Sequence, residues 1–210
     1  MDFENELNLV LPADLPNREN VVRLAARHLA LIVEANQYLN LTRITTPREA
    51  AVKHVLDSVM PWRLFQDARH VLDAGTGAGF PGIPLALVLP GTRFTLAESI
   101  QKKARFVESV LAELKPPNVE IAPRRAEELK AEIITARALA PIPKALALFR
   151  RALKDGARLL LYKGPDAEQE IVEAGKSGAN IEVVMRYELP DQMGTRTIVQ
   201  IILAQISRGR

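Results

Sequence analysis

Val71-Leu72-Asp73-Ala74-Gly75-Thr76-Gly77-Ala78-Gly79-Phe80-Pro81-Gly82 is the stretch on which the fold turns. A short apolar run of β type, Val71–Ala74, enters a loop in which every second residue is glycine, and a helical pattern, Phe80–Leu89, follows. Glycine has no Cβ to clash at left-handed dihedrals. Gly75, Gly77 and Gly79 therefore let the chain turn sharply and come close to a ligand. In an open α/β sheet ligands lie beyond the carboxyl ends of the strands, so the loop after the first strand is where one is expected.

Downstream the alternation repeats. Arg93–Ala97 reads as a strand, Gln101–Leu114 as a helix stopped by Pro116-Pro117, and Val119–Ala122 and Glu132–Ala136 as strands. Lys144–Leu153 reads as a helix, Ala157–Tyr162 as a strand and Ala167–Gly175 as a short helix. Two β runs, Ile181–Glu188 and Thr195–Leu203, have no helical pattern between them, and Pro190–Gly194 suits a hairpin turn. Strands alternating with helices predict an α/β, Rossmann-like fold. Its sheet is mostly parallel, covered on both faces, with an antiparallel hairpin at the end.

Upstream the chain reads as helical. Val22, Ala25, Leu29, Ile32, Val33, Asn36 and Leu39 recur at helical spacing. Thr46-Pro47-Arg48-Glu49 has the form of a capping box, and Val52, Val55, Leu56 and Val59 supply the stripe of a second helix that Pro61 closes. Residues 1–62 are expected as a helical extension packed on a core of residues 63–210, the whole being one structural unit.

The bulk numbers narrow the classes. The chain has 210 residues, 48% of them hydrophobic, which suits one globular domain with a substantial core. It has no cysteine, which excludes disulfides, thiolate metal sites and cysteine nucleophiles and suits a reducing cytoplasm. No charged segment followed by an apolar one opens the sequence, so a secretory leader is not expected. The uncharged run Ala74–Thr92 holds five glycines and three prolines and makes a poor membrane span. A net charge of +3 permits a polyanionic partner without requiring one.

Glu98 ends the second strand, 23 residues after Gly75, where a carboxylate can accept hydrogen bonds from ribose hydroxyls. Nicotinamide enzymes and S-adenosylmethionine methyltransferases share that arrangement. The dinucleotide fingerprint G-x-G-x-x-G would place its third glycine at Phe80, whereas the spacing here is G-x-G-x-G. Asp73, two residues before Gly75, suits a ligand with a cationic amino acid end rather than a pyrophosphate. S-adenosylmethionine therefore ranks above a nicotinamide cofactor. Further candidates are Ala126 and Glu127 after the third strand and Arg137 at the end of the fourth. A half-buried Arg137 needs an anionic or hydrogen-bonding partner. For Glu127 the competing reading is an acid stabilised at a helix start.

What is missing bears on the methyl acceptor. Cytosine C5 calls for a cysteine, and there is none. Exocyclic amines call for an Asn/Asp-Pro-Pro-aromatic loop after the fourth strand, where this chain reads Arg137-Ala138-Leu139-Ala140-Pro141. A hydroxyl calls for a general base, and none stands out there. A ring nitrogen with a free lone pair, such as guanine N7, needs positioning alone.

With these pieces in place the chain resembles the bacterial family of small-subunit ribosomal RNA guanine-N7 methyltransferases, also called glucose-inhibited division protein B. The resemblance runs from about Asn40 to Leu203. It rests on NLTRIT (Asn40–Thr45), KHVLDSV (Lys53–Val59), VLDAGTGAGFPGIPLA (Val71–Ala86), LAESIQKKARFV (Leu96–Val107), RRAEEL (Arg124–Leu129), ITARALAPI (Ile134–Ile142) and LYKG (Leu161–Gly164). It implies a class I S-adenosylmethionine-dependent methyltransferase sheet. It implies transfer to one guanine of a hairpin loop of 16S ribosomal RNA near the decoding centre of the small subunit. By position it implies cofactor contacts from Gly75, Phe80, Glu98, Ala126 and Glu127, with Arg137 beside the cofactor and the target base, and Gly77 and Gly79 remain candidates from the loop itself. Phe80 stands where leucine is common and Glu98 where aspartate is common.

Arg124, Arg125 and Lys163 form the candidate RNA-facing patch, because phosphate contacts position an RNA without reading it. His54, Asp57 and Ser58 share a helix face, and a polar network fastening that helix to the sheet competes with a role at the cleft. No metal ion, no membrane contact and a monomer are expected. The alternatives are a small-molecule methyltransferase, whose activity would not depend on RNA, and a non-catalytic RNA-binding assembly factor, which would not bind S-adenosylmethionine.

Overall fold

The computed structural model describes residues 2–44, 46–175 and 177–203. Thr45, which closes the Asn40–Thr45 motif, lies outside them. Seven strands form one sheet in the order β3-β2-β1-β4-β5-β7-β6. They are β1 His70–Ala74, β2 Arg93–Ala97, β3 Val119–Ala122, β4 Ile133–Arg137, β5 Arg158–Lys163, β6 Ala179–Glu188 and β7 Thr195–Leu203. The first five pair in parallel, β7 runs antiparallel to β5, and β6 joins β7 as the expected hairpin.

Both faces are covered, so the central strands are apolar throughout and alternate between two cores. On β5, Leu160 and Tyr162 face one core while Leu159 and Leu161 face the other. The first core takes in α1 Phe3–Val10, α2 Arg18–Leu39, α5 Gly82–Val88 and α6 Gln101–Leu114. The second is built on α7 Ile142–Lys154 with α8 Ala167–Ala174. Leu7, Leu29 and Ile32 of the amino-terminal helices are fully buried in the same cluster as Phe94 and Leu96 of the sheet.

The capping box closes on one side. Thr46 Oγ1 accepts the Glu49 N–H at 3.3 Å, but the Glu49 carboxylate turns to Lys53 Nζ at 2.7 Å. The regular helix expected after it is also corrected. α3 Pro47–Ala50 widens into a π-helical stretch, Ala51–Leu56, before α4 Asp57–Val59. Such widenings are common at functional sites. This one keeps Val52, Val55 and Leu56 in the core and brings the Lys53 carbonyl and the Asp57 carboxylate to one guanidinium, that of Arg137.

Candidate functional site

The glycine loop hangs from the end of β2. The N–H groups of Gly75 and Thr76 both donate to the Ala97 carbonyl, at 2.9 and 3.1 Å. Gly75, Gly77 and Gly79 hold φ of 70°, 63° and 100°, the left-handed region that their lack of a Cβ permits. Gly82 is small for another reason. A Cβ there would lie 2.2 Å from Leu96 and 2.7 Å from Asp73 Oδ2.

Asp73 is fully buried beneath this loop. Its Oδ2 accepts from Thr76 Oγ1 at 2.6 Å and from the Gly82 N–H at 2.8 Å. Burial pushes its pKa up to about 6, against those two hydrogen bonds. The carboxylate that suggested a cationic ligand end thus folds the loop with one oxygen. Oδ1 is buried without a partner among the described residues, an acceptor that a ligand ammonium group would fit. Glu98 is also latched to backbone. It accepts the Gly77 N–H at 3.1 Å and the Ile100 N–H at 2.8 Å. A carboxylate has about four acceptor sites, so ribose hydroxyls can be added without breaking these bonds.

A cleft of about 210 Å³ runs from Gly75 and Ala97 to Ala126 and Glu127, with Leu139 on its far wall. Leu139 lies so close over Gly75 that its Cδ1 would be 2.7 Å from a Cβ there. The cleft thus gathers a glycine cradle, the buried Ala126 and the rim acid Glu127, and these suit an adenosine. Arg124 and Arg125 are exposed at its mouth, Arg125 with Glu127 3.5 Å away. Lys144 joins them there, a wall residue to which sequence reasoning attached no role.

Phe80 sits between two imidazoles. His28 and His54 each stack on it with ring centroids 4.7 Å apart, and the Arg137 guanidinium carbon is 5.4 Å from its centroid. His28 Nε2–H donates to the Ala78 carbonyl of the glycine loop at 2.7 Å, and His54 Nε2 lies 3.0 Å from Thr42 Oγ1. Burial pushes His28 down to about 4 and His54 down to about 3, the latter aided by Arg137, His28 and Lys53. Both rings are neutral near pH 7.

Arg137 finds the partners its burial demanded. It donates to the Lys53 carbonyl at 2.8 Å and to Asp57 Oδ2 at 3.1 Å. Asp57, only 1% exposed, also takes Arg196 at 3.2 Å and the Tyr187 hydroxyl at 3.0 Å. Tyr162 donates to the Ser58 carbonyl at 2.7 Å. These contacts fasten the π-helical segment and α4 to β4, β5, β6 and β7. Arg196 gave no signal in the sequence, because 139 residues separate it from Asp57. Lys163, expected in the RNA-facing patch, lies apart from Arg124 and Arg125, lining a different cavity: its side chain is 12% exposed and paired with Glu170 at 2.6 Å, with a further bond to the Ala140 carbonyl at 3.2 Å.

A sheet of this order, with a glycine loop after β1 and an acid ending β2, defines a class I S-adenosylmethionine-dependent methyltransferase fold. The O-methyltransferase TomG from Streptomyces achromogenes, solved in complex with SAM, superposes with a TM-score of 0.57 at 20% identity, over 94% of this chain and 93% of that one. The model of the GidB family, rRNA small subunit methyltransferase G, matches residues 22–196, and the chain belongs to that family. It is 62% identical over 209 residues to the ribosomal RNA small subunit methyltransferase G of Solibacter usitatus, covering 96% of this chain and all of the relative. The protein of the same name from Carboxydothermus hydrogenoformans is 35% identical, covering 85% of this chain and 81% of its own length.

Proposed function

We propose that this chain methylates N7 of a guanine in the 16S ribosomal RNA of the small subunit. The observation that carries the reading is that the buried ionisable groups of the cavity Arg137 lines are committed to partners, the exposed Asp166 being the one carboxylate of that lining without an ion pair among the described residues. Asp57 is held by two arginines, His54 is a very weak base against Thr42, and Glu170 is paired with Lys163. Such a wall positions an acceptor but does not deprotonate one, and N7 carries a free lone pair.

S-adenosylmethionine, when bound, supplies a methyl group activated by a sulfonium. N7 would take up that methyl group through its free lone pair, with no proton to lose. Gly75, Gly77, Gly79, Phe80, Glu98, Ala126 and Glu127 would hold the cofactor, and Asp73 folds their loop and would offer Oδ1. Arg137, fixed by Asp57, lines the neighbouring cavity at the start of the loop that follows β4. Arg124 and Arg125 contact RNA phosphates at the mouth. The enzyme works as a cytoplasmic monomer.

The test is nucleoside mass spectrometry on undermethylated small subunits incubated with the protein and labelled S-adenosylmethionine. Labelled 7-methylguanosine is expected, and it disappears with Gly75→Asp, whose side chain is strained at φ 70° and adds an anion to the cradle. Cofactor binding without transfer to subunits or free RNA would overturn the reading.

A further inference from the structure

A second cavity, of about 380 Å³, opens on the other side of the loop that follows β4. Its walls include the ends of β4 and β5, at Arg137 and Lys163, with Glu170 of α8 and the exposed Asp166 before that helix, and its far side is the Asp57–Arg196 pair. Two residues of that loop, Leu139 and Ala140, wall the cofactor cleft. One short loop therefore divides the two cavities. It leaves β4 through Ala138, held at the left-handed φ of 55°. Glu170 secures its far end by accepting the Ile142 N–H at 2.7 Å.

We infer that this second cavity receives the guanine that accepts the methyl group, and that Lys163 and Glu170 read the O6 and N1–H edge of its ring. The inference rests on the guanine-N7 reading above. Lys163 Nζ has three protons and spends them on Ala140 and Glu170, with one to spare. Both bonds to Glu170 fall on Oε2, and Oε1 has no partner among the described residues. A donor thus stands beside an acceptor. Guanine presents the complement, O6 beside N1–H, whereas adenine presents a donor beside an acceptor and meets like against like.

The charge of the wall suits the product as well. Arg137 and Arg196 share the single carboxylate of Asp57, Lys163 is paired with Glu170, and the exposed Asp166 adds one further negative charge to the lining. Methylation places a positive charge on the purine, which makes N1–H a stronger donor. The bond to Glu170 therefore strengthens towards the transition state, where added stabilisation raises the rate.

The experiment is a cycle between protein and substrate. Small subunits are reconstituted with ribosomal RNA carrying guanine or 2-aminopurine at the target position. 2-Aminopurine keeps N7 and the 2-amino group but lacks O6 and N1–H. Methyl transfer to each is measured for the wild type and for Glu170→Gln, which keeps an oxygen for the Ile142 N–H. The intrinsic difference in N7 reactivity is common to both proteins and cancels. The wild type is expected to disfavour 2-aminopurine by roughly a hundredfold, and Glu170→Gln is expected to reduce that penalty to a few-fold while cofactor affinity holds. An unchanged penalty in the variant, whatever its overall rate, overturns the inference. Should Glu170→Gln lose cofactor binding, Lys163→Met takes its place in the cycle, and an unchanged penalty there overturns the inference equally. A wild type inactive on guanine itself would instead sink the N7 reading.

Discussion

The sheet carries cavities at both ends, and the larger lies at its amino-terminal edge. That groove, of about 800 Å³, is lined by Arg69, His70, Arg93, Lys130, Glu132 and Asp155. Its charges face water. Arg69, with a side chain 91% exposed, pairs with Glu132, and Lys130 and Asp155 are 3.8 Å apart at the surface. The carboxyl-terminal edge has smaller cavities, yet there Asp57 is 1% exposed between the half-buried Arg137 and Arg196. Exposed pairs contribute little to stability, whereas a buried charge stripped of its partner is very costly. The end of this sheet that carries the glycine loop is marked by charges committed inside the protein, not by the size of the hollow.

The comparison breaks most sharply at Asp57. Asp57→Ala leaves two guanidinium groups without their shared carboxylate, and a loss of about 3 kcal/mol in urea unfolding is expected. A loss below about 1 kcal/mol would show that the two ends are held alike. Next in size is Gly82→Ala, whose methyl group would press on Leu96 and Asp73. It should cost about 1–3 kcal/mol and weaken S-adenosylmethionine binding in calorimetry, because Asp73 clamps the glycine loop.

The stacked histidines sharpen the contrast through pH. Their pKa values are depressed in the folded protein, so the unfolded chain binds more protons between about 4 and 6.5, and stability falls as pH drops through that window. Asp73, raised to about 6, works in the opposite sense, since its contribution is lost as pH rises. With two histidines against one carboxylate, the net change on acidification is destabilising. His54→Phe should shrink the stability gap between pH 7 and pH 5 by on the order of 1 kcal/mol, read from urea midpoints. The smallest effect is expected at the opposite edge. Arg69→Ala should change stability by less than about 0.5 kcal/mol and leave methyl transfer intact.

Much of the fold was legible because each strand and helix announces itself locally. The turn residues, the β-type runs and the helical stripes from Val71 onward predicted elements that the structure places within a few residues. The glycine loop and Glu98 were readable for the same reason, since strand ends and loop spacing are properties of contiguous sequence. The π-helical turn at Ala51–Leu56 was not, because a widened helix keeps the same apolar residues inward. The pairing of Lys163 was not legible either, since a lysine at a strand end has the same letters whether it meets solvent or Glu170.

The sequence by itself therefore determined the order of strands and helices, the glycine loop after the first strand and the family, through patterns spanning tens of residues. Only the tertiary structure decided which charges are spent. Asp57 meets Arg137, Arg196 and Tyr187 across separations of 80 to 139 residues. Whether a carboxylate is a free base, a clamp or half of an ion pair depends on desolvation and on neighbours brought in by chain folding.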